Sequence, residues 1–208
     1  MKKQLLTTLI ISTIFGATAQ AKDNSVYIGL NYQNGKLKNS WSHTEADQDG
    51  AVEAKVSPSD RTSGFSVNFG KSFAIHQNFS VAVEAEYLRF RGMDVSWEIK
   101  DPVIKFETYD EGTGSVNVSG YTLSAKPKYY FGDSGFSLGP ILGIGLYERN
   151  DDEEIGFNYG LEIAYIISDK LSMNSGYKVH NADFDMPDGL SDYDMKMDSF
   201  YAGLQYRF

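Results

Sequence analysis

Apolar and polar side chains alternate with a period of two along most of this chain. Val26, Ile28, Leu30 and Tyr32 alternate with Tyr27, Gly29, Asn31 and Gln33. Phe79, Val81, Val83, Ala85 and Tyr87 alternate with Ser80, Ala82, Glu84 and Glu86. Tyr121, Leu123, Ala125, Pro127, Tyr129 and Phe131 alternate with Thr122, Ser124, Lys126 and Lys128. Shorter or similar runs begin at Phe65, Phe136, Tyr159 and Leu171, and the chain ends on Phe200, Ala202, Leu204, Tyr206 and Phe208 with small or polar residues between. Successive side chains of a strand point to opposite faces, so each run predicts a strand with one apolar face. About eight such strands are expected, each close to the roughly 9–11 residues that a tilted strand needs to cross a bilayer.

The connections predict how these strands are arranged. Residues 74–78, 132–135 and 168–170 are short enough for hairpin turns. Residues 39–62, 92–118, 150–154 and 181–196 are read as loops on the other side, most of them long and acidic. Short turns on one side and long loops on the other are the mark of an outer-membrane barrel. A sheet in lipid must also close on itself, because an open edge would leave backbone groups unpaired. The predicted fold is therefore all-β: a membrane-spanning, antiparallel, up-and-down barrel of about eight strands. Residues 197–208 are expected to pair with residues 25–38 and close it. Aromatic residues cluster at strand ends on the apolar face, as they do in interfacial girdles.

Composition refines this picture. The chain has 208 residues with 14 Tyr, 13 Phe, 20 Gly and no cysteine, which excludes a disulfide framework and a thiolate metal site. Its mean hydropathy is −0.36, low because the membrane segments alternate rather than run apolar. A net charge of −9 argues against nucleic acid as a partner. Lys2 and Lys3, the apolar run from Leu5 to Ala17 and the small residues Ala19 and Ala21 predict a cleaved signal peptide over 1–21, leaving a barrel domain over 22–208. Removal of Lys2 and Lys3 takes the net charge from −9 to −11.

The polar face carries Glu84, Glu86, Lys126, Lys128, Glu162 and Lys178. A barrel of eight strands has an interior just wide enough for its own side chains. These six residues are predicted to fill it as an ionic network, and no large conductance is expected.

The signal peptide, the alternating spans and the terminal phenylalanine resemble small outer-membrane β-barrel proteins of the OmpA-domain, OmpX and opacity-like type. The stretches 157–180 and Gly139-Pro-Ile-Leu-Gly-Ile-Gly-Leu-Tyr147 carry the resemblance most strongly. It implies residence in the outer membrane of a Gram-negative bacterium. It also implies contact with outer-membrane lipid and lipopolysaccharide, and Phe208 with Tyr206 as the signal read by the assembly machinery. No peptidoglycan-binding domain is expected after Phe208. The implied function is a structural and surface-interaction role, adhesin-like, working through acidic extracellular loops. The alternative is a narrow porin-like channel for small solutes.

Neither a catalytic nor a metal site is expected, and no cofactor. His43, His76 and His180 have no nucleophile and acid placed to converge on them. Glu45, Asp47, Asp49 and Gly50 match the first half of a calcium loop, but its twelfth position is Val56, where a glutamate is needed. The long segment 92–118 is more informative. Val95, Trp97 and Ile99 alternate, and 103–108 is read as the returning strand of a hairpin above the membrane. Trp97, Ile99, Val103 and Phe106 are therefore the candidate surface for a host or matrix protein, bound by strand addition.

Overall fold

The computed structural model describes residues 25–38, 41–47, 50–58, 61–101, 107–149, 152–184 and 193–208. The predicted signal peptide, 1–21, lies outside the described residues. Ten strands run in order: β1 (Val26–Leu37), β2 (Trp41–Asp47), β3 (Gly50–Pro58), β4 (Thr62–His76), β5 (Phe79–Asp101), β6 (Glu107–Tyr130), β7 (Phe136–Arg149), β8 (Asp152–Ser168), β9 (Leu171–Phe184) and β10 (Tyr193–Arg207).

Eight of these strands form a closed antiparallel ring in the order β5-β4-β1-β10-β9-β8-β7-β6, with β6 returning to β5. The first and last barrel strands meet in continuous register, with Ile28 opposite Tyr206, Leu30 opposite Leu204 and Asn34 opposite Phe200. Closure removes every barrel edge, which is the condition for a sheet to sit in lipid. The turns at one end are tight. Residues 77–78 join β4 to β5, and a single turn of 3-10 helix, Gly132–Ser134, joins β6 to β7 and ends at Gly135 with φ +75°.

The outward face is apolar. Leu30, Leu142, Ile155, Phe157 and Ile163 are each more than half exposed, while Glu84, Lys126, Glu162 and Lys178 are almost fully buried inside the ring. A soluble barrel would show the reverse, so the outer surface is built for lipid. Two belts of ring pairs bound it. Tyr129–Phe131, Phe136–Tyr165 and Tyr206–Phe208 sit at the tight-turn end, and Tyr87–Tyr121 and Tyr177–Phe200 lie toward the other.

The segments read as loops from sequence are largely strand. Residues 39–62 contain the hairpin β2–β3, which adds to the upper part of β5. Within 92–118, residues 92–101 continue β5 and residues 107–118 are the first half of β6, paired as an extended hairpin. Asp152–Glu154 belong to β8, and β9 runs on to Phe184. The barrel ends and this second sheet begins at one place. Arg91 and Gly92 together stand opposite Asn117, a bulge in which Gly92 has φ +64° and its N–H donates to Asn117 Oδ1 at 3.2 Å. A residue with a side chain is strained at that φ, so glycine permits the bend that carries the strands away from the barrel wall.

Candidate functional site

The barrel interior is the most organised polar site among the described residues. Strand parity places it: residues 82, 84 and 86 of β5, 122, 124, 126 and 128 of β6, 162 of β8 and 178 of β9 face inward because their neighbours face lipid. The six predicted charges fall into two groups. In the lower group, Lys126 Nζ lies 2.6 Å from Glu84 and 3.0 Å from Glu162, and Lys128 Nζ lies 2.7 Å from Glu162. In the upper group, Lys178 Nζ donates to Glu86 Oε2 at 2.6 Å.

Glu84 and Lys126 meet across neighbouring strands as adjacency suggests, but the other contacts do not follow it. Glu162 and Lys178 stand on neighbouring strands, yet Lys178 reaches across the lumen to Glu86 while Glu162 turns to β6. Long side chains span the narrow interior, so partners are chosen by height and reach. Three carboxylates face three ammonium groups, and the network is neutral. Buried charges of this kind persist only when paired and hydrogen-bonded.

Residues that sequence reasoning did not single out complete the network. The Tyr27 hydroxyl donates to Glu84 at 2.9 Å and Asn68 Nδ2 donates at 2.8 Å to the same oxygen. The Tyr201 hydroxyl donates to Glu162 at 2.7 Å, and its ring lies 4.8 Å below the Lys178 ammonium. Gln33 Nε2 donates to Glu86 at 3.3 Å. All of them share the inward parity of their strands, and that was the available signal.

A second layer closes the lumen at its outer end. Leu37, Leu88, Phe90, Val118 and Met197 face inward and are buried. Register sets Phe90 beside Val118 and Leu37 beside Met197. Gly35 and Gly64 make room for the Phe90 ring, since a Cβ on either would run into it. Between this apolar cap and the ions, the Tyr147 hydroxyl and His180 Nδ1 are 2.9 Å apart, both groups buried. His180 is packed inside the lumen, its ring edge-on to that of Tyr147. At the opposite end the lumen opens into a vestibule of about 870 Å³ lined by Tyr27, Ala82, Lys128 and Gln205 among others. Among the described residues the interior is open to a vestibule at the tight-turn end, ionic in the middle and lined by buried apolar side chains toward the outer end.

The remaining predicted residues are placed as follows. Trp97 and Ile99 lie on β5 where it is paired on both sides, to β3 and to β6, so they stand in a sheet interior and not on an edge. Val103 and Phe106 lie outside the described residues, and the returning strand begins at Glu107. His43 and Glu45 are on β2, in a strand and not a floppy loop. Phe208 is exposed at the tight-turn end, its ring 5.3 Å from Tyr206 and its N–H donating to Val26 O at 2.9 Å. Among the described residues no group of three acidic, histidine or cysteine side chains could hold a metal ion.

The model of the outer membrane protein beta-barrel domain matches residues 7–208. The chain belongs to that family. Its place is the bacterial outer membrane, with the lipid-facing belt described above crossing the bilayer. Among solved structures, the attachment invasion locus protein Ail of Yersinia pestis is similar at 14% identity, covering 89% of this chain and 99% of that one with a TM-score of 0.50. Neisserial surface protein A aligns at 14% identity over 88% and 97% of the two chains (TM-score 0.48). OprG of Pseudomonas aeruginosa aligns at 13% over 92% and 99% (TM-score 0.49). At 14% identity the likeness to Ail is one of fold. No curated protein sequence matches the chain.

Proposed function

We propose that this family member is a non-conducting, non-enzymatic surface-interaction protein that presents a sheet above the outer membrane on a rigid barrel. The observation that carries the reading is the second sheet. β5 and β6, at 23 and 24 residues, run well past the barrel, and β3 and β2 extend that sheet to four strands. In its register Lys55 stands opposite Glu98 and Glu53 opposite Lys100. Its outer strands, β2 and the part of β6 before Val118, pair on one side only among the described residues. An edge of unpaired backbone N–H and C=O groups is a template for an added strand. The partner recognised in this way is an extended segment of a host or matrix protein. The ion pairs and buried apolar side chains that fill the interior argue against the alternative of a solute channel.

Trimming tests the reading. A variant in which residues 94–115 are replaced by a tight turn and residues 41–58 are removed keeps all eight barrel pairings. It is expected to fold, showing heat-dependent gel mobility, and to lose about tenfold or more in binding of intact cells to host-cell matrix. Unchanged binding by a correctly folded trimmed barrel would refute a role for this sheet.

A further inference from the structure

The vestibule at the tight-turn end takes no part in the packing described above. Its volume is about 870 Å³, in the range of sites that hold small molecules. Tight turns mark the periplasmic end of an outer-membrane barrel, so the cavity opens toward the periplasm. Of the six lumen charges, Lys128 alone lines it. The ionic network therefore presents an ammonium to the cavity and keeps its carboxylates behind. Lys128 is 8% exposed, and its one carboxylate contact among the described residues is Glu162 at 2.7 Å. An ammonium has three N–H groups to donate.

The opposite wall is β10, which has three strands between it and β6 in either direction around the ring. Gln205 on that wall lines the cavity and is 3% exposed, yet its Nε2 has no hydrogen-bond partner. Its register neighbours do not satisfy it. Ser172 stands opposite Gln205 on β9, and Gly29 of β1 separates Gln205 from Asn68 of β4. Ser172 Oγ and Asn68 Oδ1 are themselves without partners. A buried donor left unpaired is costly and uncommon, so this one points to an acceptor from outside the chain. Arg207 follows on the same face of β10, nearer the mouth. It lines the cavity, half-buried, with no carboxylate partner among the described residues. The lining carboxylates, Asp133 and Asp169, belong with His76 and Lys170 to the exposed rim. Both signs of charge therefore stand at the rim, while the deeper wall and floor offer Gln205 and Lys128 as donors.

We propose that the vestibule binds small periplasmic solutes by a carboxylate group. Gln205 Nε2 and Arg207 receive its oxygens on the β10 wall, and the Lys128 ammonium attracts its charge from the β6 side. An ionised carboxylate is acceptor-only, with about four lone-pair directions, and so complements a site whose unspent capacity is donating. Hydrogen bonds from a guanidinium to a carboxylate are also among the stronger ones. The cavity is much larger than this one group, so the site selects the carboxylate and tolerates variation in the rest of the solute. Free organic acids and the ends of short peptides both carry the group, and the test separates them. This proposal concerns the tight-turn end and stands apart from the binding role of the upper sheet.

The test uses the full folded protein in lipid nanodiscs, titrated at low salt with succinate and with trialanine, each against its own amide. Nuclear magnetic resonance follows the Gln205 side-chain amide and the backbone amides of 132–135. At least one of the two acids is expected to shift these signals to saturation, and the one that does so names the source of the carboxylate. Its amide, lacking the charged group, is expected to bind about tenfold or more weakly. Gln205→Met and Arg207→Gln leave the ion pairs of the lumen in place, and heat-dependent gel mobility checks that each variant is folded. Both are expected to weaken binding of the acid by about tenfold or more, read on the signals of 132–135. No saturable shift with either acid, equal binding of acid and amide, or unchanged affinity in either folded variant overturns the proposal. So does equal binding of inorganic phosphate, which would mark an unselective cationic mouth.

Discussion

Replacing Lys126 with methionine is expected to lower the stability of the folded barrel by about 3–5 kcal/mol. Lys126 is the hinge of the lower network, with its ammonium 2.6 Å from Glu84 and 3.0 Å from Glu162. Without it, two buried carboxylates share the same narrow space. Glu162 keeps Lys128, Tyr201 and Asn174. Glu84 keeps only its neutral donors Tyr27 and Asn68. The loss therefore falls mainly on Glu84. A companion change, Glu84→Gln, should restore part of the stability, with a coupling on the order of 1–3 kcal/mol as expected for groups in one network. Urea unfolding in lipid vesicles, followed by heat-dependent gel mobility, reads both. If Lys126→Met unfolds at the parent's midpoint with the same slope, the pairing contributes nothing and the lumen is hydrated enough to carry a lone carboxylate.

The second large effect lies in the apolar cap. Phe90→Ala is expected to cost about 3–5 kcal/mol, the usual range for removing a fully buried aromatic ring. Gly35 and Gly64 border the ring and have no side chains to move into the space. Relaxation of the strands is limited by closure of the ring, so the cavity persists. Phe90→Leu should cost distinctly less, because most of the volume is kept. The same urea titration measures both variants. A loss below about 1 kcal/mol for Phe90→Ala would mean that the outer end of the lumen is not packed as a core.

The barrel was legible in the sequence because period two is unambiguous in runs such as 79–87 and 121–131. Parity grouped the charges on one face, and the aromatic residues at strand ends on the other marked the charged face as inward. The seam between 25–38 and 197–208 followed from the need to close the sheet. The upper sheet was not read in full, although the alternation Val52, Ala54, Val56 is present in β3. Its intervening Glu53 and Lys55, and the acidic residues around it, made the segment resemble a solvated loop. In register those two residues stand opposite Lys100 and Glu98 on β5, 47 and 43 residues further along, a pairing that no local pattern reveals.

The ion partners that cross the lumen were hidden for a related reason. Adjacent strands suggest adjacent partners, but Lys178 crosses the lumen to Glu86, which depends on the barrel's width and on side-chain length. The apolar cap was missed because Leu88, Phe90 and Val118 each belong to strands whose inward face is polar lower down. The change from polar to apolar along one face of a strand marks a change of depth, not of side.

The closed lumen is tested most directly by single-channel recording of the purified, folded protein in planar bilayers. The structure predicts no sustained nanosiemens-scale steps from the parent at moderate voltage, because the ionic layer and the apolar cap lie in series across the interior. Stable steps of that size, abolished by heat denaturation and scaling with the amount of folded protein, would contradict a filled barrel and favour a solute channel.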